Sequence, residues 1–379
     1  MDTRIKWGIL GCANIARKNA AAIFDSPECE LAGIASRSEQ KAEKFRVECG
    51  LPDSVICYGS YEDLLQEEWI DAVYVPLPTA IHLEWVLKAF KHKKHVLVEK
   101  PLAVDVETLK LMREAAKNSG CLLMDGVMFV HSLRTEKLRE VLHPMRFGEV
   151  ELVESKFSFR GDDSFFEDNI RVSSEGDPLG CLGDLGWYSI RLSLIAFRCN
   201  EAEGGEMQPA SVSAVCHEWK NGVPMDLSAT IYFDGPGGSR ARRRATFHCS
   251  FIHGFDQYCR ISARANRPGI LDHKISMNDF VIPRHPASAT FELESFGGAF
   301  EDVATRVMSN VETYTTGHCQ QEERMFTFFS TAIKEINIAG SLTRTLEHFE
   351  RITADADMTM QLCERLMESA KNNGEEVAA

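Results

Sequence analysis

The chain has 379 residues, of which 44% are hydrophobic and 26% are charged, a composition typical of proteins that bury a sizeable core. This length favours two domains over one. The formal net charge of -14 is incompatible with a strongly basic surface, so the sequence predicts no nucleic-acid partner.

Twelve cysteines are scattered along the chain, and no two of them form a Cys-x-x-Cys pair. Scattered cysteines within apolar runs are typical of reduced thiols, so we expect a cytoplasmic protein without disulfides. No apolar run approaches the length of a membrane span, and the first residues lead directly into a strand pattern. The sequence therefore predicts neither a membrane segment nor a signal peptide.

Short apolar runs alternate with longer amphipathic segments from Ile5 to about Met124. This alternation is typical of strand-helix units on a parallel sheet, so we predict an α/β Rossmann domain over residues 1–130. Ser60 predicts the start of one intervening helix, because a serine hydroxyl accepts a hydrogen bond from a free amide of the first turn. The predicted strands are Trp7–Leu10, Leu31–Ser36, Val55–Tyr58, Ala72–Val75, His95–Val98 and Leu122–Met124.

After roughly Arg134 the pattern changes to segments with a period of two, which indicate antiparallel strands. Helical periodicity returns later, and the last residues are expected to form a frayed tail. We therefore predict, over residues 131–379, an α+β substrate and dimerisation domain with a large, mostly antiparallel open sheet. The predicted strands are Glu149–Phe159, Ser211–His217, Asp226–Phe233, Arg244–Phe251 and Tyr258–Ala263; the predicted helices are Gln320–Asn337 and Leu342–Lys371, and the tail is Asn372–Ala379.

The segment from Gly8 to Ala16 follows the first predicted strand and opens a helix, which is the context of a dinucleotide fingerprint. Gly11 is expected to make the tight turn, and the amides that follow are expected to face a pyrophosphate. Ala13 departs from the usual glycine pattern, because its methyl group stands where the backbone approaches the phosphates. A plain turn between a strand and a helix is the alternative. The predicted phosphate-loop residues are Gly11, Cys12, Ala13, Asn14 and Ile15.

The second predicted strand ends at Ser36, Arg37 and Ser38, without the acidic residue that an NAD enzyme uses to bind the ribose hydroxyls. A 2′-phosphate needs cationic and hydroxyl donors, and these three residues supply both. The segment therefore favours NADP(H) as the cofactor. The alternative is that it only caps the next helix.

Three further motifs occur in order, and they are Val73–Pro78 with His82, His95–Pro101 and Gly183–Tyr188. Their order and spacing resemble the Gfo/Idh/MocA family, which includes glucose-fructose oxidoreductase, inositol dehydrogenase and dihydrodiol dehydrogenase-like proteins. The resemblance covers residues 5 to about 200 and is greatest to plant members of the family. It implies a Rossmann domain, a sheet that covers the nicotinamide, and a substrate between the two.

The resemblance implies that Lys100 lies beside the nicotinamide, oriented by Glu99, and that Tyr188 and Asp184 act from a helix of the second domain. A spacing of four residues puts Asp184 and Tyr188 on one face of an α-helix. A phenol has a pKa near ~10, and a neighbouring ammonium lowers it, so Lys100 and Tyr188 are a chemically sensible proton-transfer pair. A solvated strand end and a packing residue are the respective alternatives.

The resemblance also implies further contacts with the cofactor and the substrate, for which packing or solvent exposure is the alternative. The implied cofactor contacts are Pro76, Leu77, Pro78, His82, Glu99, Lys100 and Met128, and the implied substrate contacts are Asp125, His131, Arg171 and Trp187. His217, His248 and His253 have no ligand spacing to one another, so the sequence predicts no metal site.

Together these features predict an NADP(H)-dependent oxidoreductase that transfers hydride between nicotinamide and a small polar carbonyl or hydroxyl substrate, such as a sugar, polyol, dicarbonyl or dihydrodiol. One alternative is a reductase of imines or conjugated systems. Another is a regulator that binds the dinucleotide without turnover. The resemblance further implies a homodimer formed through the sheet of the second domain, with no membrane partner.

Overall fold

The structure, a computed structural model, describes residues 4–200, 207–234, 243–264, 272–284, 288–297, 307–317, 320–338 and 343–379. The chain divides into two compact units, one of Met1–His131 with Gln320–Met360 and the other of Ser132–Cys319 with Gln361–Ala379. The predicted boundary at residue 130 lies next to the first of these divisions. Residues 320–360, however, group with the N-terminal unit and not with the predicted second domain.

The N-terminal unit is built on one parallel sheet of six strands. The strands are β1 (Ile5–Leu10), β2 (Cys29–Ala35), β3 (Ile56–Tyr58), β4 (Ala72–Val75), β5 (His95–Val98) and β6 (Leu123–Asp125). They are arranged in the order β3-β2-β1-β4-β5-β6, with the change of direction between β1 and β4, where open α/β sheets bind their ligands. The Rossmann arrangement and all six predicted strands are confirmed.

Helices connect these strands and continue through the second unit. They are α1 (Asn14–Asp25), α2 (Glu39–Glu48), α3 (Tyr61–Gln66), α4 (His82–Lys91), α5 (Val106–Ser119), α6 (Leu133–Val141), α7 (Pro144–Phe147), α8 (Asp163–Asp168), α9 (Trp187–Arg198), α10 (Gln321–Ile338) and α11 (Arg344–Lys371). Ser60 caps α3, since its Oγ accepts a hydrogen bond from the Asp63 N–H at 3.1 Å. The predicted start of this helix is thereby confirmed.

Trp7 explains why α10 belongs to the N-terminal unit. Its side chain is fully buried, and its Nε1–H donates to Ser330 Oγ on α10 at 3.0 Å. The Trp7 ring also meets the Phe326 ring edge-on, with 5.1 Å between ring centroids. A residue from the first strand therefore packs against a helix more than 300 positions later in the chain, a pairing that local sequence patterns do not reveal.

The second unit is built on a sheet of nine strands in the order β14-β13-β12-β11-β7-β10-β9-β8-β15. The strands are β7 (Glu149–Ser158), β8 (Pro209–Lys220), β9 (Val223–Phe233), β10 (Arg243–Ser250), β11 (Asp256–Arg264), β12 (Asp272–Asn278), β13 (Ala289–Gly297), β14 (Val307–Thr316) and β15 (Val377–Ala378). All neighbouring pairs are antiparallel except β7 and β10. The predicted mostly antiparallel sheet is confirmed.

Strands β12 to β14 were not predicted, and the expectation of a frayed tail was wrong. Val377 pairs with Val212 of β8, so the last residues extend the edge of the sheet. Ser369 supports this arrangement, because its Oγ donates to the Glu375 carbonyl at 2.6 Å. Two paired residues are too few to produce a recognisable strand pattern in the sequence.

The nine-stranded sheet packs α9 against one of its faces. Phe197 of α9 contacts Phe233 of β9, with 4.1 Å between ring centroids. Along β10, Phe247 and Cys249 are buried while Arg244 is exposed, as expected when successive side chains point to opposite faces.

No disulfide joins any of the eleven described cysteines, and Cys319 lies outside the described residues. The expectation of scattered thiols without disulfides agrees with this part of the chain. None of the described helices combines the length and apolar character needed to cross a membrane.

His95, the first residue of β5, provides a test of the packing of the N-terminal unit by pH. It is buried, and its Nδ1 accepts a hydrogen bond from the Leu122 N–H at 3.0 Å. Burial lowers the pKa of His95 from 6.5 to about 4. The unfolded chain therefore binds the proton at a higher pH than the folded chain. The contribution of neutral His95 to the free energy of unfolding is fully present above pH 6.5. It is lost as the pH falls from 6.5 through 4.

We expect this single group to remove up to about 3 kcal/mol of unfolding free energy between ~pH 7 and ~pH 4. His95→Gln supplies an acceptor that does not titrate in this range. Urea unfolding of the two proteins at a series of pH values should give a wild-type advantage that shrinks steadily on acidification. A constant difference across the range would contradict the assignment.

Candidate active site

The loop between β1 and α1 turns tightly beside the loop that follows β4. Gly11 has φ +121°, which side-chain-bearing residues rarely adopt, and its N–H donates to the Ala35 carbonyl at 2.9 Å. A Cβ at this position would lie 2.9 Å from Leu77 Cδ2. Only glycine allows the loop to approach Leu77 so closely, which agrees with the predicted tight turn.

The first turn of α1 presents backbone amides without a side-chain cap. Ala13 occupies the N-cap position in an extended conformation, and no side-chain hydrogen bond caps the helix. Asn14 and Ile15 are exposed, whereas Ala16 is fully buried against the sheet. Uncapped amides at the positive end of a helix are suited to bind an anionic phosphate. The methyl group of Ala13 does not close this end of the helix, since Ala13 remains half-exposed.

Cys12 is a packing residue of the same loop. Burial raises the pKa of the Cys12 thiol, and the hydrogen bond with Ser36 opposes this only in part. Thiolates are the reactive form of cysteine, so the raised pKa argues against a nucleophilic role.

The end of β2 separates the roles of Ser36, Arg37 and Ser38. Ser38 caps α2, because its Oγ accepts a hydrogen bond from the Lys41 N–H at 3.3 Å, so the capping interpretation is confirmed for this residue. Ser36 is buried and its N–H donates to the Tyr58 carbonyl. Arg37 is exposed, and no hydrogen bond or salt bridge engages it within the described chain. Its guanidinium is therefore available to a ligand.

Tyr61 lies close to this arginine and to the glycine loop, although the sequence did not single it out. Burial raises the pKa of Tyr61, and the positive charge of Arg37 opposes that shift. Its hydroxyl lies 3.7 Å from the position of a Cβ on Gly11, and its ring meets the Trp85 ring edge-on at 4.8 Å. A ring in this position suits stacking or hydrogen bonding with a nucleotide.

His82 connects the loop after β4 with the loop after β5. Its Nε2 lies 2.8 Å from the Leu77 carbonyl, and its Nδ1 lies 3.1 Å from the carbonyls of Pro101 and Leu102. The side chain is 1% exposed, and burial lowers its pKa despite these three carbonyls. His82 therefore positions the two loops, and Pro76 and Pro78 flank the residue that it holds.

Glu99 follows β5 and is held by polar side chains from two other elements. Tyr74 Oη donates to Glu99 Oε1 at 2.5 Å, and Asn19 Nδ2 donates to Tyr74 Oη at 2.5 Å. The Lys100 N–H donates to Glu99 Oε2 at 3.3 Å. A Cβ on Gly126 would lie 3.2 Å from the carboxylate, so any larger residue there would make a tight contact with Glu99. This network fixes the backbone from which the half-buried Lys100 side chain projects.

The remaining candidates of the N-terminal unit surround the end of β6. Asp125 is 1% exposed, and Met128 and His131 lie in a buried 3₁₀ turn. Arg324 of α10 donates to the His131 carbonyl at 2.8 Å. The carboxyl ends of β1, β4, β5 and β6 thus carry most of the predicted cofactor residues on one edge of the sheet.

In the second unit, Arg171 forms a salt bridge with Asp184, with 3.0 Å between Nε and Oδ2. Two residues predicted for separate roles are therefore brought together. Asp184 lies in a π-helical turn over Leu182–Gly186, in which the Trp187 N–H donates to the Leu182 carbonyl five residues earlier. This wider turn replaces the regular α-helical spacing on which the shared face of Asp184 and Tyr188 was predicted, so their shared face stays a prediction.

Tyr188 and Trp187 differ in what they contact. Tyr188 is 6% exposed, and its ring lies 5.9 Å from the Phe157 ring of β7. Trp187 is fully buried, so its side chain packs in the core and does not present a surface to a substrate. Cys181 is also fully buried, with its Sγ 3.8 Å from Cys249 Sγ.

Comparisons with known proteins agree with this arrangement. A model of the family described as "Oxidoreductase family, NAD-binding Rossmann fold" matches residues 5–127. D-xylose 1-dehydrogenase (NADP(+)) 2 of Haloferax volcanii is 36% identical over 64% of this chain and 69% of that protein. Trans-1,2-dihydrobenzene-1,2-diol dehydrogenase of Mus musculus is 27% identical over 65% of this chain and 68% of that protein.

A solved structure shows the same fold over nearly the full length. The 3-ketoreductase KijD10 from Actinomadura kijaniata, in complex with NADP and TDP-benzene, superposes with a TM-score of 0.75 and 23% identity. The match covers 97% of this chain and 98% of KijD10. At this identity the likeness concerns the fold alone.

Proposed function

Because this chain belongs to the Gfo/Idh/MocA family of oxidoreductases, we propose that it transfers hydride between NADP(H) and a small polar carbonyl or hydroxyl substrate. The substrate class is sugar-like, comprising sugars, polyols, dicarbonyls and dihydrodiols. Relatives named for D-xylose and for a dihydrobenzenediol support this class. The main support for this proposal is the position of Glu99 and Lys100, which follow β5 at the edge of the six-stranded sheet, beside the glycine loop.

The preference for NADP(H) is argued from Arg37. It is exposed at the end of β2 and has no hydrogen bond or salt bridge within the described ranges. Its two neighbours in the chain, Ser36 and Ser38, are not acidic. A guanidinium in this position pairs with the 2′-phosphate, and the absence of a carboxylate removes the usual ligand of a free ribose hydroxyl. A relative whose name specifies NADP(+) supports the same choice.

The nicotinamide supplies the hydride when it is bound. The uncapped amides of α1 and the glycine turn before them fit its pyrophosphate. We assign the remaining contacts to the sheet edge and give His82 a positioning role. The proposed cofactor residues are Gly11, Cys12, Ala13, Asn14, Ile15, Ser36, Arg37, Ser38, Pro76, Leu77, Pro78, Glu99, Lys100 and Met128.

Three residues are proposed to act on the substrate oxygen. Lys100 stabilises the negative charge that develops there, and Tyr188 gives or takes the proton bound to the oxygen. Asp184 orients a substrate hydroxyl, and the Arg171 salt bridge fixes its carboxylate. Asp125 and His131 are further proposed substrate contacts, whereas the burial of Trp187 assigns it to packing.

We also propose a cytoplasmic homodimer that forms through the open face of the nine-stranded sheet. Exposed apolar side chains occur on this face, where Val215, Tyr232 and Val311 are 46%, 37% and 43% exposed. Strand register places the three on one side of the sheet, opposite Phe247. The absence of disulfides among the described cysteines agrees with a reducing compartment.

A substrate screen tests the activity itself. NADPH oxidation is followed with dicarbonyls, aldoses and cyclic imines, and NADP+ reduction with sugars, inositols and dihydrodiols. Turnover of a carbonyl or hydroxyl compound supports the proposal. Turnover restricted to imines supports the reductase alternative, and tight NADPH binding without any turnover supports a regulator.

Arg37→Asp should raise the Kd for NADPH by about 30-fold, the equivalent of ~2 kcal/mol for a lost charge-assisted hydrogen bond. The Kd for NADH should change little, because NADH has no 2′-phosphate. Fluorescence titration with both nucleotides measures the two constants. Lys44→Asp is the matched control, since Lys44 is 76% exposed on α2 and undergoes the same change of charge. Equal losses for both nucleotides in Arg37→Asp would refute the assignment.

Lys100→Met and Tyr188→Phe should each lower kcat by about 100-fold or more with a substrate from the screen, because each removes a group that acts on the reacting oxygen. The Kd for NADPH should stay within a few fold of wild type. A variant that still binds NADPH is folded, so its loss of activity is a loss of catalysis. Lys93→Met and Tyr232→Phe are the matched controls on exposed side chains. Full activity in either test variant would exclude that residue from catalysis.

Light scattering during size-exclusion chromatography tests the homodimer. The wild-type protein should have twice the mass of the 42.5 kDa chain. Tyr232→Asp places a charge on the exposed face and should shift the mass towards the monomer, whereas Leu111→Asp changes an exposed apolar side chain on α5 and should not. A monomeric wild-type protein would disprove the proposed assembly.

A further inference from the structure

Three side chains with metal-ligand chemistry converge in the second unit. They are Asp226 of β9, His248 of β10 and His253 from the turn after β10. One ligand atom from each lies within 4.8 Å of the other two. We propose that Asp226, His248 and His253 bind a divalent transition metal ion of the zinc class. This inference does not depend on the proposed oxidoreductase activity.

Strand register brings these residues together. Asp226 lies directly opposite Ser250, and His248 lies two positions before Ser250, so Asp226 and His248 share one face of the sheet. Phe247 and Cys249 are buried on the opposite face. The three ligands therefore lie on the face away from α9, which is also the face of the proposed homodimer.

The turn over 251–255 returns His253 to the same face. The Ile252 N–H donates to Ser250 Oγ at 3.1 Å, and Ser158 Oγ donates to the Gly254 carbonyl at 2.8 Å. These bonds fix the backbone on both sides of His253. The side chain itself remains 50% exposed, which leaves room for an ion to enter.

Both oxygens of the Asp226 carboxylate face an imidazole. His248 Nε2 lies 2.6 Å from Oδ1, and His253 Nε2 lies 3.4 Å from Oδ2. In a tetrahedral site with metal-ligand distances near 2.0–2.2 Å, donor atoms are separated by about 3.3 Å. The His253 distance already has this value. The His248 distance runs to the other oxygen and is that of a hydrogen bond, so a metal held by both oxygens of Asp226 replaces the proton between His248 and Oδ1.

The charges around Asp226 favour a cation. The carboxylate is only 8% exposed, and no lysine or arginine pairs with it within the described ranges. Lys156 lies opposite His248 in register, but its Nζ pairs with Asp256 at 3.1 Å. Glu218 lies opposite Asp226 on β8, and like charges at such a position are unfavourable unless a cation compensates them.

The donor set decides the class of metal. Two imidazole nitrogens and one carboxylate oxygen suit zinc or cobalt, whereas calcium and magnesium prefer oxygen ligands throughout. Three protein ligands leave a fourth position for water. The sequence analysis predicted no metal site, because Asp226 and His248 are 22 positions apart and only the strand pairing makes them neighbours.

Calorimetric titration of the full chain with Zn2+ tests the proposal. We expect one high-affinity ion per chain. Asp226→Asn and His248→Ala should each weaken binding by more than tenfold, because even outer-shell partners of a metal contribute about 10–100-fold. Glu294→Gln is the matched control; Glu294 is a carboxylate of β13 paired with Lys274, and its loss should leave the affinity unchanged.

Cobalt substitution separates this site from the cysteines. Co2+ bound by nitrogen and oxygen gives a visible ligand-field spectrum without the sulfur-to-cobalt charge-transfer band that cysteine ligation produces. Because Asp226→Asn risks destabilising the sheet, His253→Ala supplies a second variant at an exposed side chain, and it should lose affinity without a change in the thermal midpoint of the metal-free protein. Absence of Zn2+ binding, a thiolate band, or unchanged affinity in Asp226→Asn would overturn the proposal.

Discussion

The N-terminal unit depends on the close approach of backbone loops at the carboxyl edge of its parallel sheet. Gly11 has a φ angle of +121° that side chains rarely allow and packs against Leu77, and Gly126 lies close to the Glu99 carboxylate. His82 joins the two sides, since its ring nitrogens face the carbonyls of Leu77 and Pro101. Loops that lie this close hold donors and acceptors in place before any ligand arrives, and such preorganisation lowers the cost of binding.

The partly buried carboxylate of Glu99 holds several neighbouring elements in place. Its carboxylate accepts hydrogen bonds from Tyr74 and from the Lys100 backbone, and Asn19 donates to Tyr74 from the helix that begins at the glycine loop. A charged acceptor with several donors keeps one geometry, because any rotation would leave a buried group without its partner. The helix, two strands and the lysine are thereby coupled into one rigid assembly.

The sequence predicted what local patterns encode and missed what long-range pairing creates. The six parallel strands were identified because buried apolar runs and intervening helices repeat in order. Asn19 and Tyr74 were missed as partners of Glu99, since a buried polar side chain on a helix resembles any other until its contacts are known. The cluster of Asp226, His248 and His253 was not predicted for the same reason, and neither was the association of Trp7 with α10. Register and packing partners were the missing information.

The π-helical turn over Leu182–Gly186 has a consequence for descent within the family. Such a turn is geometrically equivalent to an α-helix that has gained one residue, and removal of that residue rotates everything after it by about 100°. Asp184 lies within this turn and Tyr188 follows it, so an insertion or deletion in the turn changes the direction of Tyr188 relative to the preceding residues. Alignments that place a gap here would equate non-equivalent side chains, so relatives should be matched by superposed backbone and not by residue count.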